Sequence, residues 1–243
     1  MATYYLRGLN STVVSATATV DQLSATLGTT ASAGTSVKNA KNANNFVLVP
    51  GVASSTAVTA IPQATPSSRG WIFDSSVAGT YAAGTWTLTA VLTSTSASGT
   101  ADLYVNAWIV TATTTAVTSV AAIASGQTAN FTPSLTTTAY TATFSPGAVT
   151  LAAGQYLYIE LYLDVTVAGS SNTGTESIRV DSPSGLISQL VTPTFTAARA
   201  LSQSLTSSLT PTATVSIVQT LAPVASLTTT TSQKALLLNL LGS

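Results

Sequence analysis

The chain of 243 residues contains no cysteine and no histidine, and only seven basic and seven acidic side chains. Without cysteine there can be no disulfide and no thiolate metal site. Without histidine the usual general base, the Ser-His and Cys-His nucleophile pairs and the commonest transition-metal ligand are all excluded. Charged residues make up 6% of the chain, against about 25% in an ordinary globular protein. A solvated surface must then be built from Thr, Ser, Asn and Ala. Two situations suit such a surface: cover by neighbouring copies, or life as a hydroxyl-rich adhesive material outside the cell. Basic and acidic residues cancel and form no basic cluster, so no nucleic-acid partner is expected. The N-terminal MATYYLRGLN has no basic region followed by an apolar one, so a conventional secretion signal is not expected. The uncharged C-terminal stretch, Ala200 to Gln233, is broken throughout by Ser, Thr and Pro, and no apolar run is long enough to span a bilayer, so no membrane span is expected.

What is present is dominated by one strand pattern, QYLYIELYLDVTV from Gln155 to Val167. Leu157, Ile159, Leu161, Leu163 and Val165 alternate with Tyr156, Tyr158, Glu160, Tyr162 and Asp164, the period of a strand with one apolar and one amphipathic face. Fully extended it would run roughly 43 Å, which calls for a tall β structure around it. From Trp71 to about Phe195 further strand patterns recur between turn clusters, the signature of an all-β sandwich or barrel. Trp71–Asp74 comes first. Gly84–Thr93 places Trp86, Leu88, Ala90 and Leu92 on one face, and Ala101–Thr111 places Leu103, Val105, Ala107 and Ile109 opposite Asp102, Tyr104, Asn106 and Trp108. Ala116–Ile123, Thr138–Phe144, Ala148–Leu151, Ser177–Asp181 and Ile187–Phe195 complete the set. Residues 1–60 read as an N-terminal arm with short strands at Tyr4–Leu6, Thr12–Val20 and Asn45–Val49, a loop from Gly28 to Ser36, and a candidate helix at Val20–Leu27.

Two segments echo one another: Gly79-Thr-Tyr-Ala-Ala-Gly84-Thr-Trp86 and Thr150-Leu-Ala-Ala-Gly154-Gln-Tyr156. Each places Ala-Ala-Gly two residues before an aromatic that opens a strand, the glycine supplying the positive φ of a tight turn. The succession GWIFDSSVAGTYAAGTWTLTAVLTS, SGTADLYVNAWIV and SPGAVTLAAGQYLYIELYL resembles the jelly-roll β-sandwich domains of tailed-phage virion proteins, head-decorating and tail-associated ones among them, and of some carbohydrate-binding modules. The resemblance covers about half the chain. It implies an antiparallel jelly-roll-like sandwich over residues 61–195, flanked by extended arms at 1–60 and 196–243.

In the C-terminal segment only Arg199 and Lys234 are charged. Its apolar Leu201, Leu205, Leu209, Val215, Ile217 and Leu221 are the expected contacts of an assembly arm that docks on neighbouring subunits. Glu160, Asp164 and Asp102 lie near the long strand, and a carboxylate pair is the minimum for glycoside hydrolysis. Nothing in the sequence makes them converge, so no catalytic residue is expected. No DxDxDG-type calcium loop occurs, and neither a metal site nor a cofactor is expected. Tyr104, Trp108, Tyr156, Tyr158 and Tyr162 fall on the polar faces of two long strands. They form either a platform for sugar rings or a face covered by a neighbour. The leading expectation is a non-enzymatic structural protein of a tailed-phage virion, homo-oligomeric and in contact with other capsid or tail proteins. The alternatives are an adhesive module for cell-surface glycan and an extracellular filament subunit joined by strand exchange.

Overall fold

A computed structural model of the chain describes residues 1–28, 32–40, 45–48, 56–58, 60–95, 97–167, 173–181 and 185–198. The chain divides into two units, Met1–Ala198 and Arg199–Ser243. The second unit, with Leu201, Leu205, Leu209, Val215, Ile217 and Leu221, lies outside the described residues. Among the described residues the fold is all-β and contains no helix.

The long strand forms as its alternation predicts, from Tyr156 to Val167 (β13). One edge pairs along its length with β9 (Thr100–Ala112), from Tyr156↔Val110 to Val167↔Thr100. The other edge is shared, by β6 (Gly70–Phe73) at Tyr158 and Ile159 and by β4 (Asn45–Leu48) at Leu161 to Asp164. From β6 the sheet continues through β2 (Val20–Ser24), β1 (Ala2–Asn10), β15 (Gln189–Thr192) and β8 (Trp86–Ser94) to β11 (Thr138–Phe144). There β11 meets β10 (Val117–Gln127) at Gln127↔Thr143, and β10 returns to β9. Nine strands thus close into a barrel-like ring. A ring with an odd number of strands cannot be antiparallel throughout. The one parallel contact it requires falls between β2 and β6.

Outside the ring, β14 (Thr173–Val180) extends β8 and carries β3 (Ser32–Ala40), while β5 (Thr56–Val58) pairs with β4. Ser188 bridges the gap where β8 passes from β15 to β14. Its hydroxyl accepts from Val91 N at 3.0 Å and donates to Arg179 O at 2.6 Å. A small separate sheet joins β12 (Val149–Leu151), β7 (Gly79–Tyr81) and β16 (Phe195–Ala197).

The main core lies on the face of Leu157, Ile159, Leu161, Leu163 and Val165, against Leu88, Ala90 and Leu92 and against Leu103, Val105 and Ala107. These are the inward faces that period-2 reading assigns. Phe73, Tyr4, Tyr81, Trp86 and Phe144 form a chain of ring contacts 4.8 to 6.3 Å apart. Phe195, 4.7 Å from Tyr81, fastens the small sheet to it. Such edge and tilted aromatic pairs add about 0.5–1.5 kcal/mol each beyond the area they bury.

Three local expectations fail, each for a tertiary or side-chain reason. Val20–Ser24 is strand rather than helix, because both of its edges find partners and Val20 and Leu23 bury on opposite sides of the sheet. Residues 11–19 are bends and turns rather than strand. There the Ser11 hydroxyl accepts from Val13 N and Val14 N, both at 3.0 Å, and the Thr17 hydroxyl from Thr19 N at 3.3 Å. Hydroxyls offer the backbone this alternative to a ladder. The span from Ser32, read as loop, is strand because β14 supplies a partner from Ser32 to Ala40. The described part of residues 1–60, expected to be an arm, supplies five strands, two of them within the ring.

Gly70 sits where β6 crosses β13: a Cβ there would lie 2.1 Å from Ile159 O and 2.8 Å from Glu160 Cγ. Gly70→Ala is therefore expected to destabilise the protein by about 3 kcal/mol or more, whereas Gly147→Ala, with nothing within 4 Å, should be nearly neutral. Urea unfolding of the two variants compares them directly. Equal midpoints would disprove the close approach.

Candidate functional site

The outward side chains of β9 and β13 meet in register. Tyr158 lies opposite Trp108, Glu160 opposite Asn106, and Tyr162 opposite Tyr104. The fold therefore gathers on one face all five aromatic residues singled out in the sequence. It also covers that face. Val14, Val20, Val47 and Ile72 pack on it as a second apolar cluster, with Ile61 and Val58 beside them. Trp108 is 1% exposed and Tyr158 and Tyr162 are 0% exposed, so these three offer no surface on which a sugar ring could stack. Tyr104 and Tyr156 are half-buried against the same cluster. The rings of Trp108 and Tyr158 lie 6.0 Å apart, tilted by 35°.

At the centre of the covered face is Glu160, itself 0% exposed. Burying a carboxylate is costly unless hydrogen bonds replace its water. Here they do. Oε1 accepts from Ser67 N at 2.7 Å, Ser67 Oγ at 2.9 Å, Arg69 N at 3.2 Å and the Tyr158 hydroxyl at 2.7 Å. Oε2 accepts from the Tyr162 hydroxyl. The donors come from the strand itself, two residues either side of Glu160, and from the Pro- and Ser-containing segment that precedes β6. That segment is held at two further points. Asn106 Nδ2 donates to Gln63 O at 3.2 Å, and Val117 N donates to Ser68 Oγ at 3.0 Å. Burial, then the adjacent Glu160 charge, raises the Tyr158 and Tyr162 hydroxyls well above the usual tyrosine range. Both phenols stay protonated, as donors to the carboxylate must.

The other carboxylates are dispersed. Asp102 and Asp164 are cross-strand partners, and burial with the charge of Asp164 raises Asp102. The Asn130 amide, turned with its nitrogen toward Asp102, donates to it at 2.6 and 3.0 Å. Along β13, Asp164 and Glu160 are four residues apart, roughly 13 Å, which is beyond the 5–10 Å or so of a glycosidase pair. Asp74 accepts from Ser11 Oγ at 2.7 Å and from Thr12 N and Oγ1 at 2.8 Å, closing the bend after β1. Glu176 is buried beside Ser94, and burial raises it. Among the described residues no group of three or more His, Cys, Asp or Glu could hold a metal ion. No helix there is long and apolar enough to cross a membrane.

Sequence reasoning placed Glu160 correctly on the outward face but missed its role. The available signal was its pair of tyrosines at two residues either side, which share its face in a strand. Compared with known protein families and with curated proteins, the chain matches none.

Two measurements check this site. Glu160→Ala leaves buried donors without an acceptor and is expected to cost about 3–5 kcal/mol in urea unfolding; a loss under about 1 kcal/mol would remove Glu160 from its central place. In a spectrophotometric titration, Tyr158, Tyr162, Tyr4 and Tyr81, all raised above 10.0, should absorb as phenolates only on unfolding. The unfolded chain releases those protons first, so stability falls as pH rises above about 10.

Proposed function

We propose that the chain is a non-enzymatic structural subunit of a tailed-phage particle, capsid-decorating or tail-associated, that assembles as a homo-oligomer through its C-terminal arm. The observation that carries this reading is the surface. From Leu103 to Ile159 there is no charged residue, although this stretch includes β10, where Thr118, Val120, Ala121 and Ala122 are exposed. Charge depletion marks the core of protein interfaces, not surfaces that remain in water. The surface is knitted instead by hydroxyl pairs: Thr80 with Thr150 at 3.0 Å, Thr85 with Ser145 at 3.1 Å, Thr93 with Thr137 at 3.0 Å and Thr100 with Thr166 at 2.8 Å.

The order of the strands supports the jelly-roll part of the reading. Four antiparallel pairings nest in sequence, β9 with β10 inside β8 with β11, inside β6 with β13, inside β1 with β15. This is how one long hairpin would wind about a core. Within it β13 returns beside β9 to give the spatial order β13-β9-β10-β11, the 4-1-2-3 order of a Greek key. A phage shell protein would act mechanically, with the β domain as exposed body and the C-terminal arm binding neighbours.

Sedimentation and negative-stain electron microscopy of the full chain, beside a chain ended after Ala198, test the reading. The full chain should form closed oligomers, and the shortened one should keep its thermal transition but sediment as a monomer. Normal assembly of the shortened chain would refute the role of the C-terminal arm. Open filaments from the full chain would replace the shell reading with a filament one.

A further inference from the structure

Away from the covered face, two charged side chains meet where β1 and the end of β14 come together, and a third on β2 lies within reach of their field. Arg7 Nε donates to Asp181 Oδ1, Gly8 N donates to Asp181 Oδ2 at 2.7 Å, and Arg7 Nη1 donates to Thr26 O at 3.3 Å. Asp181 has φ of 53°, the left-handed region, and its own N–H reaches Leu6 O at 3.4 Å. Its carboxylate therefore clamps the chain leaving β14 onto β1. A second carboxylate belongs to this group. Asp21 on β2 is 1% exposed, and its Oδ1 has no hydrogen-bond partner. Asp21 lies opposite Asn10 on β1 and Trp71 on β6. The charges facing it are Asp181 and, through Asp181, Arg7; β6 (GWIF) contributes no ionisable side chain. The Arg7 guanidinium is paired with Asp181, and among the described residues no ion pair reaches Asp21.

We infer that the Asp21–Asp181–Arg7 cluster is a proton-operated latch that holds β2 in the ring while Asp21 is protonated and loosens it once Asp21 must ionise. β2 is the natural element to be released. It makes the ring's parallel contact with β6 and is five residues long, and its departure bares a strand edge on both β6 and β1. Burial first, and the Asp181 charge second, push Asp21 up to about 7 from 3.8. Between those two values the native state retains a proton that the opened segment releases. Opening therefore becomes easier as pH rises toward 7 and levels off above it.

Hydrogen exchange of the full chain, read by mass spectrometry at pH 4.5 to 8.5 and corrected for intrinsic exchange, tests the latch. Protection of amides in Val20–Ser24 should fall roughly tenfold or more between pH 4.5 and 7, then flatten. Amides of β9 and β13 should show no such change. Asp21→Asn, which mimics the protonated acid, should keep β2 protected at every pH. A native chain whose β2 protection is flat across the range overturns the proposal, as does an Asp21→Asn chain that retains the decline. If the variant does not fold, the native profile of β2 against β9 and β13 decides alone.

Discussion

The buried carboxylate of Glu160 is the constraint on which the outer layer of this fold depends. A charge withdrawn from water at the middle of β13 holds only if donors are delivered to it. Its own strand delivers two, the hydroxyls of Tyr158 and Tyr162. The remainder come from Ser67 and Arg69, so the segment before β6 must lie across the sheet. Once it does, the aromatic face of β9 and β13 becomes a core between two layers. Gly70 completes the arrangement, since only a residue without Cβ lets β6 come so close to Ile159 and Glu160. Specificity of register is a natural consequence. A one-residue slip of β13 would turn Glu160 into the apolar interior and Leu157 to Leu163 onto the polar network.

Closure of the sheet follows a different logic. Edge strands invite unwanted pairing, and closing a ring removes most edges at once. With nine strands the ring needs one parallel joint, and it lies at β2 and β6. At that joint Asp21 on β2 has an Oδ1 without a hydrogen-bond partner, and the adjacent β1 carries Arg7, whose ion pair with Asp181 is the one salt bridge among the described residues. Two polar groupings of this charge-poor chain thus sit at mechanical points, Glu160 on the covered face and Asp21 at the parallel joint. Elsewhere Thr and Ser pairs do the work that ion pairs do on ordinary surfaces, each cross-strand pair contributing a few tenths to about 1 kcal/mol.

Much of the architecture was legible in the sequence because period-2 alternation is a local property. Alternate residues of three strands, Leu103 with Ile109, Trp86 with Leu92 and Leu157 with Val165 among them, face the main core, as their spacing requires. What misled was local too. Ser11 and Thr17 carry hydroxyls that cap their own backbone, so a Thr/Val alternation became a series of bends. Val20 to Ser24 has no pattern of its own and is strand because β1 and β6 flank it. The aromatic residues were assigned to the correct face, but alternation says only which side a residue is on and never what lies above it.

By itself the sequence determined the class of this protein and its chemistry by exclusion: all-β from alternation, no imidazole or thiol function from the missing histidine and cysteine, and a surface of hydroxyls from the scarcity of charge. Only the tertiary structure decided which strands become neighbours, that the sheet closes, and that Tyr158, Tyr162 and Trp108 are interior. It alone turned Glu160 into a hub and left Asp21 Oδ1 without a hydrogen bond. The physical reason is the range of the interactions. Side-chain direction along a strand is fixed by adjacent residues, whereas burial and hydrogen-bond partners depend on segments that meet across 91 positions from Arg69 to Glu160 or 174 from Arg7 to Asp181, and no local pattern encodes such encounters.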